Sequence, residues 1–287
     1  MPSILNADLH CHSVVSDGTL TPEALAERAA ANGVELWALT DHDEIGGQHR
    51  AIAAAAGLAL PYLTGTEISV TFAGKTVHIV GLGFDPDDAT LAAGLAATRG
   101  GRRQRALEMA EGLARAGIPD AFEGAVRHAG NPDLISRTHF ARHLVETGVC
   151  QDTREVFHRF LVDGRPGYVP HHWARLGDAV AWVRGAGGAA VIAHPGRYKF
   201  TPSAEYALFS EFKEHGGQAV EVVTGSHSSA DFVRYAETAR EFDLHASRGA
   251  DFHSPDESHV DLGTLPQLPS GLVPVWELLG ERVRQPS

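Results

Sequence analysis

Short apolar runs along this chain repeatedly lead into histidine or carboxylate residues. The first run leads into Asp8-Leu-His10-Cys-His12, and Asp17 follows in the next loop. In a strand, His10 and His12 would point to the same face, because they are two residues apart. The same residue types recur in or after later apolar runs, at His42, Glu67, His78, His194, Asp251 and His253. A fold that uses them together must bring the ends of many separate strands to one place.

Alanine-rich stretches with helical spacing lie between most of these runs. One starts at Thr21, a candidate N-cap with Pro22 at the first helical position. Further helices are predicted over residues 47–56, 176–185 and 203–215. Alternating strands and helices predict a parallel sheet. Ligand residues at the carboxyl ends of parallel strands predict a barrel-like α/β fold with its site on that face.

The segment from about residue 97 to 170 breaks the alternation, because it contains no convincing strand. Helices are predicted over residues 98–116, 121–129, 136–147 and 153–161, and a Gly-Arg-Pro-Gly turn follows at 164–167. We therefore predict a barrel made of residues 1–97 and 171–287, with residues 98–170 as a helical insertion that caps its mouth. Inserted elements near a site commonly carry specificity. A short C-terminal helix is predicted over 275–283.

Composition excludes several classes of protein. The 287 residues, 43% of them apolar, suffice for one barrel with an insertion. No apolar run approaches the roughly 18 residues of a membrane span, so we expect no membrane segment. The chain enters a motif strand at once, so we also expect no signal peptide. Only two cysteines, Cys11 and Cys150, fit a reducing cytoplasm, and Cys11 should pack in the core. A net charge of −12 argues against binding long duplex DNA.

Six motifs together resemble the PHP (polymerase and histidinol phosphatase) superfamily of metal-dependent phosphoesterases. They are Asp8-Leu-His10-Cys-His12-Ser, Thr40-Asp41-His42-Asp43, Gly65-Thr66-Glu67, Val77-His78-Ile-Val-Gly81, Ala193-His194-Pro195-Gly196-Arg197 and Gly249-Ala-Asp251-Phe-His253. The resemblance is greatest to the branch that hydrolyses nucleoside 3′,5′-bisphosphates and trims short RNA from its 5′ end. That match adds residues 131–144 and the Gly225-Ser-His227-Ser segment. The resemblance implies a distorted (β/α)7 TIM-like barrel.

The resemblance also implies three divalent metal ions. The first would be held by His10, His12, Glu67 and Asp251; the second by Glu67, His78 and His194; the third by Asp17, His42 and His253. Glu67 would bridge the first two. Imidazole and carboxylate ligands without thiolates suit Mn²⁺, Fe²⁺ or Zn²⁺, and we expect Mn²⁺. Ions of this kind lower the pKa of a bound water, which would supply hydroxide as the nucleophile.

Several polar residues are candidates for substrate contact. Arg137, with Ser136 before it, falls at the predicted start of a helix and would hold a second phosphate, while Arg197 follows the His194 motif. Arg102, with Arg103 and Arg105, would line the entrance or form a solvated helix face. His227 would contact phosphate or protonate the leaving alkoxide, or be an ordinary loop histidine.

Three aspartates in the motifs are candidates for a supporting role. Asp8, Asp41 and Asp43 stand beside ligand-type histidines and are expected to orient their rings. The alternative for each is a capping or turn role near the glycines that follow.

The predicted activity is removal of the 3′-phosphate from nucleoside 3′,5′-bisphosphates, and trimming of short 5′-phosphorylated RNA in the 5′ to 3′ direction. One alternative is a phosphatase for another small monoester, such as histidinol phosphate. A second alternative is a PHP domain kept as a structural or regulatory module. The module is disfavoured because degenerate modules lose ligands, whereas every ligand position here holds the expected residue type.

Overall fold

Seven strands form one sheet in chain order and close on themselves. The structure is a computed structural model that describes residues 6–285. Its strands are β1 (Ala7–Asp8), β2 (Leu36–Leu39), β3 (Tyr62–Phe72), β4 (Lys75–Leu82), β5 (Ala189–Ile192), β6 (Ala219–Thr224) and β7 (His245–Gly249). Closure joins the two ends of the sheet, since the Asp251 amide donates to the His10 carbonyl at 2.8 Å. The approach requires glycine, because a Cβ at Gly249 would lie 2.4 Å from that of His10. The predicted distorted (β/α)7 barrel is confirmed.

The sheet is mixed rather than parallel, so that part of the prediction was wrong. Strands β1–β3 and β5–β7 pair in parallel, but β4 runs antiparallel to both β3 and β5. The cause is a tight turn at Ala73 and Gly74, whose φ angles are +47° and +75°. A two-residue turn with positive φ angles joins antiparallel neighbours, whereas a parallel crossover needs a dozen residues or more. Glu67 therefore lies inside β3 and not after its end.

Helices surround the barrel much as the alanine-rich spacing predicted. They are α1 (Pro22–Ala31), α2 (Gln48–Gly57), α3 (Ala89–Arg99), and, after the insertion described below, α8 (Leu176–Gly185), α9 (Pro202–Glu214), α10 (Ser229–Glu241) and α11 (Val275–Leu278). Thr21 caps α1 by accepting a hydrogen bond from the Ala24 amide at 3.2 Å, as predicted. Within residues 6–285, no helix has the length and apolarity needed to cross a membrane.

The segment between α3 and α8 folds as four helices and a π-helical turn. These are α4 (Arg102–Arg115), α5 (Ala121–His128), α6 (Arg137–Glu146), α7 (Thr153–Val156) and the π-turn Phe157–Leu161. Their inward side chains form an apolar cluster separate from the two barrel clusters; among its members are Ala106, Met109, Leu113, Phe140, Leu144 and Leu161. The domain boundaries at 97/98 and 170/171 stay a prediction. The ends of the predicted barrel segments, residues 1–5 and 286–287, lie outside the described residues.

The residues that follow β1 differ in what their buried side chains contact. Cys11, just after β1, is fully buried and contacts the Ala38 carbonyl at 3.4 Å and the Trp37 indole nitrogen at 3.3 Å. It therefore packs in the core on the side away from the histidines, as predicted. His10 and His12 are equally buried, but their polar rings need partners that a core does not supply.

Candidate metal centre

Nine histidine and carboxylate side chains meet inside one end of the barrel. His10 and His12 follow β1, Glu67 lies in β3, and His78 lies in the neighbouring β4. The other members follow strand ends or lie in the adjoining loop; they are Asp17, His42, His194, Asp251 and His253. We call these nine residues the metal-ligand centre. They are the nine that the sequence predicted, and the structure places them side by side.

One group in this centre has the spacing of a tetrahedral metal site. Nε2 of His10 lies 3.4 Å from Oε2 of Glu67 and 3.5 Å from Oδ1 of Asp251. Nε2 of His12 lies 3.3 Å from each of the same two oxygens. Ligands about 2.0–2.1 Å from a tetrahedral ion are separated by about 3.3–3.4 Å. The four distances between histidine nitrogens and carboxylate oxygens are close to this spacing, so the group could hold a divalent ion.

Glu67 is the shared member of the centre. Its Oε1 lies 2.8 Å from Nδ1 of His78 and 2.9 Å from Nε2 of His194, while its Oε2 lies 2.9 Å from Nδ1 of His42. The compact second group is His42, Glu67 and His78, which differs from the expected trio because His42 is included. His194 contacts the same carboxylate from another side. A carboxylate with ligands on both oxygens is suited to bridge two ions.

A third group surrounds Asp17. Its Oδ1 lies 3.4 Å from Nε2 of His253, 3.9 Å from Nε2 of His42 and 4.0 Å from Nδ1 of His12. The last contact was not anticipated, since His12 was assigned to the first group alone. His12 thus faces two candidate sites with its two ring nitrogens.

The unsatisfied polar atoms of the centre fit bound cations. Buried atoms without a hydrogen-bond partner among the described residues include Nε2 of His10, both ring nitrogens of His12, Oδ1 of Asp17, Nδ1 of His42 and Oε2 of Glu67. Buried polar atoms in native proteins are almost always paired. A set of imidazole nitrogens and carboxylate oxygens that converge without partners is what a divalent transition metal requires. The residues present therefore fit the divalent ions that the sequence implied.

The centre also sets its own protonation states. Burial would raise the pKa of Glu67, but the His78, His42 and His10 imidazoles hold it well below its usual value. Asp17 and Asp251 behave likewise, because histidines again outweigh burial and keep the pKa of each carboxyl well below its usual value. The histidines differ among themselves. Burial lowers the pKa of His12 to about 3 and that of His78 to about 4, whereas at His10 and His42 nearby carboxylates outweigh burial and raise the pKa, to about 9 for His42. Because a metal binds only the neutral imidazole, a bound ion would displace the protons held at His10 and His42.

Two supporting residues were missed by the sequence analysis. Glu221, in β6, accepts a hydrogen bond from Nδ1 of His10 at 2.7 Å and from the His194 amide at 2.6 Å. The Tyr198 hydroxyl accepts from the His78 amide at 2.8 Å and donates to the Ala193 carbonyl at 2.7 Å. Glu221 therefore fixes the His10 tautomer that leaves Nε2 free as a ligand. The available signal was a single carboxylate within the apolar run 219–223.

Asp8 and Asp41 hold backbone segments and not histidine rings, which corrects their expected role. Asp8 accepts hydrogen bonds from the amides of Ala250 at 2.9 Å and Gly263 at 2.8 Å. Asp41 accepts from the Ser13 amide at 2.8 Å and from its hydroxyl at 2.7 Å. Both carboxylates are buried, and Asp41 also accepts from the Ser16 hydroxyl at 2.6 Å. They position the loops that carry metal ligands, which is closer to the turn role weighed as the alternative.

Asp43 likewise contacts no histidine. It accepts from the amide of Ser69 at 2.7 Å and from its hydroxyl at 2.9 Å, and it forms an ion pair with Arg102. Arg102 is buried, with its guanidinium 4.6 Å from the centre of the Trp173 ring. The alternative of a solvated helix face was therefore wrong for Arg102. The pair joins the first helix of the insertion, α4, to the barrel.

A cavity of about 110 Å³ opens from the metal-ligand centre toward the insertion. We call it the metal-side cavity. Its wall includes the guanidiniums of Arg102, Arg105, Arg137 and Arg197. Burial lowers the pKa of Arg105 to about 9, and burial with nearby Arg197 also lowers the pKa of Arg137. Among the described residues, neither Arg105 nor Arg137 forms an ion pair with a carboxylate, so this wall offers positive charge to an anion.

Two more predicted contact residues, Ser136 in the insertion and Arg197 after β5, line the same cavity. Ser136 caps α6, accepting from the Thr138 amide at 3.1 Å, and its hydroxyl donates to Oδ2 of Asp17 at 3.1 Å. Arg197 donates to Oδ2 of Asp251 at 2.7 Å. Ser136 and Arg197 therefore each touch a carboxylate of the metal-ligand centre. Arg103, by contrast, is exposed and lies outside the cavity wall.

His227 is not among the residues that line the metal-side cavity, which favours the ordinary loop histidine over a substrate contact. Its Nδ1–H donates to the Val222 carbonyl at 3.1 Å, and its Nε2 accepts from the Gly196 amide at 3.1 Å. Its ring also stacks on Tyr235, with centroids 4.8 Å apart. Both nitrogens are occupied by backbone partners, so none remains to protonate an alkoxide. His227 instead positions the loop between His194 and Arg197.

Comparison with known proteins gives concordant findings. A model of the PHP domain matches residues 8–131. The chain is 50% identical over 282 residues to a 3′,5′-nucleoside bisphosphate phosphatase of Chromobacterium violaceum, covering 98% of this chain and 99% of that protein. It is 41% identical to the 5′-3′ exoribonuclease Rnm of Escherichia coli, covering 94% and 92%. A solved structure described as an amidohydrolase from Chromobacterium violaceum, with bound sulfate and no metal, matches with a TM-score of 0.95 at 50% identity, covering 98% of each chain.

Proposed function

This chain belongs to the PHP domain family, and on that premise we propose that it is a divalent-metal-dependent phosphoesterase acting on nucleoside 3′,5′-bisphosphates. The observation that carries the proposal is one cavity with two kinds of phosphate-binding wall. The metal-ligand centre forms one wall, and the unpaired guanidiniums of Arg105 and Arg137 form another. A substrate with one phosphate would leave two buried positive charges without a partner. A substrate with two phosphates satisfies both walls.

Three divalent ions, with Mn²⁺ preferred and Fe²⁺ or Zn²⁺ as alternatives, would occupy the three groups of the centre. When bound, such ions supply activated water and neutralise the phosphoryl oxygens. Glu67, His10 and His12 would hold them at fixed positions, because each of these side chains is buried. The thiolate-free ligand set supports the choice of metal.

Arg137 and Arg105 would hold the 5′-phosphate of the nucleotide. Arg137 is the first residue of α6, and both guanidiniums line the metal-side cavity. Arg197 would lie beside the reacting 3′-phosphate, because it already touches Asp251 of the metal-ligand centre. Anchoring one phosphate positions the other, so the binding energy of the 5′-phosphate would contribute to catalysis.

A second proposed activity is the 5′ to 3′ trimming of short single-stranded RNA. The E. coli relative is named as a 5′-3′ exoribonuclease, and the reaction uses the same parts. A terminal 5′-phosphate would bind the arginines, and cleavage would again break the bond at the 3′ oxygen. Net charge of −12 confines nucleotide binding to the cavity, so we expect no affinity for long duplex DNA. The two free cysteines suit a cytoplasmic location, which we also propose.

The test compares phosphate release in the presence of Mn²⁺ from four substrates. These are a nucleoside 3′,5′-bisphosphate, the 3′-monophosphate, the 2′,5′ isomer and histidinol phosphate. We expect the 3′,5′-bisphosphate to exceed the 3′-monophosphate in kcat/KM by roughly 30-fold or more, equivalent to about 2 kcal/mol for a charge-assisted phosphate contact. Equal kcat/KM values for the 3′,5′-bisphosphate and the 3′-monophosphate would contradict the binding of the 5′-phosphate by Arg137 and Arg105. Preference for histidinol phosphate would establish the alternative monoester activity.

A further inference from the structure

A second cavity, of about 300 Å³, adjoins the metal-side cavity. We call it the outer cavity. The two share part of their walls, formed by Thr138, Phe157, Arg197, Asp251 and His253. The metal-side cavity, at about 110 Å³, is the smaller of the two. A nucleotide held at the metal-ligand centre can extend past this shared wall into the outer cavity.

Phe157 contributes a phenyl ring to that shared wall. It is half-buried, and its ring centre lies 5.6 Å from the guanidinium carbon of Arg137. The ring and the proposed 5′-phosphate anchor are thus close neighbours. A nucleotide held by its 5′-phosphate carries its base within a few ångströms of that phosphate. Phe157 is therefore placed where a base would arrive.

Trp173 also lines the metal-side cavity, but other groups cover its ring. The guanidinium carbons of Arg102 and Arg105 lie 4.6 Å and 5.4 Å from its centre. His171 approaches it edge-on, with centroids 4.2 Å apart. Trp173 therefore serves to support the arginines and has little ring surface left for a ligand.

The contacts that hold the Phe157 side chain suit a rigid surface for stacking. Phe157 begins the π-turn, and its carbonyl accepts a hydrogen bond from the Val162 amide at 3.1 Å. Part of its ring packs against the apolar cluster of the insertion. π-Helical turns are rare, and they occur disproportionately at functional sites. A ring held in this way loses little freedom when a ligand stacks on it.

We propose that Phe157 is the stacking platform for the nucleobase of the substrate, and that the outer cavity receives that base. The proposal rests on the nucleotide substrate proposed above and identifies the part of the protein that distinguishes a nucleotide from a sugar bisphosphate. Stacking on an aromatic ring tolerates every base, because all bases have a π face. The platform therefore selects for the presence of a base and not for its identity.

The experiment uses full-length Phe157→Leu and Phe157→Tyr variants, with Phe160→Leu as the matched control. Phe160 lies in the same π-turn and also packs against the insertion cluster, but it lines neither cavity. Kinetics with Mn²⁺ compare adenosine 3′,5′-bisphosphate with the base-free methyl riboside 3,5-bisphosphate. Calorimetry compares the binding of adenosine 5′-monophosphate and ribose 5-phosphate to each protein, so that binding is measured without turnover.

Phe157→Leu should lower kcat/KM for the adenosine substrate by roughly 5- to 160-fold, the range expected for the loss of one base–aromatic stack. The base-free substrate should change less than twofold, and Phe157→Tyr and Phe160→Leu should resemble the wild type on both. Equal losses on both substrates, or equal binding of the two monophosphates by the wild type, would overturn the platform. If the wild type binds adenosine monophosphate preferentially but hydrolyses neither bisphosphate, the proposed function fails while the platform stands.

Discussion

Replacing Glu221 with glutamine should weaken metal binding although Glu221 is not a metal ligand. The carboxylate accepts two hydrogen bonds, from Nδ1 of His10 and from the His194 amide, at 2.7 Å and 2.6 Å. A glutamine offers one acceptor oxygen and one donor nitrogen. If its oxygen serves the His194 amide, its NH₂ group faces the His10 ring. The ring must then clash or move its proton to Nε2, the atom that faces Glu67 and Asp251.

The size of the effect follows from these contacts. One of two buried, charge-assisted hydrogen bonds is lost, which costs about 1.5–3 kcal/mol. Part of that cost falls on the ligand geometry of His10, so the affinity of the first site should drop about tenfold to a hundredfold. Glutamine is close in volume to glutamate, so the packing of the strand should be kept.

Metal affinity can be measured by competition with a chelating indicator for Mn²⁺ and Zn²⁺. Glu155→Gln is the matched control, because Glu155 also accepts from one backbone amide and one side chain, Gln151 at 2.8 Å and Arg159 at 2.7 Å, but lies exposed in the insertion. The control should bind metal as the wild type does. Unchanged metal affinity in Glu221→Gln, with the fold intact by circular dichroism, would refute the argument that Glu221 fixes the His10 tautomer.

Three further predictions concern other residues. Glu67→Gln should reduce metal content more than His253→Gln, because Glu67 contacts several ligands; equal content by elemental analysis would contradict the bridging role. Arg137→Ala should lower kcat/KM for a 3′,5′-bisphosphate roughly 30-fold while hardly affecting kcat/KM for an aryl phosphate. Arg137→Lys should recover only part of the lost kcat/KM. An equal loss on both substrates would argue against Arg137 as the anchor of the 5′-phosphate. Burial lowers the pKa of His139 from 6.5 to about 4, so its neutral ring stabilises the folded state above pH 6.5. Up to about 3 kcal/mol of the free energy of unfolding should be lost as the pH falls from 6.5 to 4. His139→Gln can still accept a hydrogen bond from the Ser136 amide. In denaturant titrations of chelator-treated protein, this variant should lose less stability than the wild type as the pH falls. The same dependence of stability on pH in both proteins would contradict this role of His139.

The convergence of the nine side chains of the metal-ligand centre could be predicted from the sequence because they follow recognisable apolar runs or interrupt one. The helices of the insertion were accessible from their helical spacing, whereas the order of the strands in the sheet was not predicted. The direction of β4 was not accessible either, since Ala73-Gly74 is a weak turn signal and the glycine at 65 suggested an earlier strand end. Turn geometry, and not hydrophobic periodicity, decided that pairing.

Partners of single polar residues were harder to predict. Glu221 stands in an apolar run in which a carboxylate that points to solvent would look the same. His227 carries the right chemistry, but only three-dimensional structure reveals that two backbone groups occupy its nitrogens. For Arg105 the sequence left open a place at the entrance or on a solvated helix face, whereas in the structure helix α4 turns it inward and buries it. Hydrogen-bond partners distant in sequence leave no local pattern.

The tight turn between β3 and β4 has a consequence for the order in which the metal centre assembles. It places Glu67 and His78 on adjacent strands, within two positions of direct pairing. These two ligands can meet as soon as one hairpin forms, a step that takes microseconds in small peptides. His10 and Asp251 come from opposite ends of the chain and meet only when the barrel closes. A metal ion present during synthesis would therefore find its first two ligands early, while the tetrahedral group, which needs both chain ends, would be completed last.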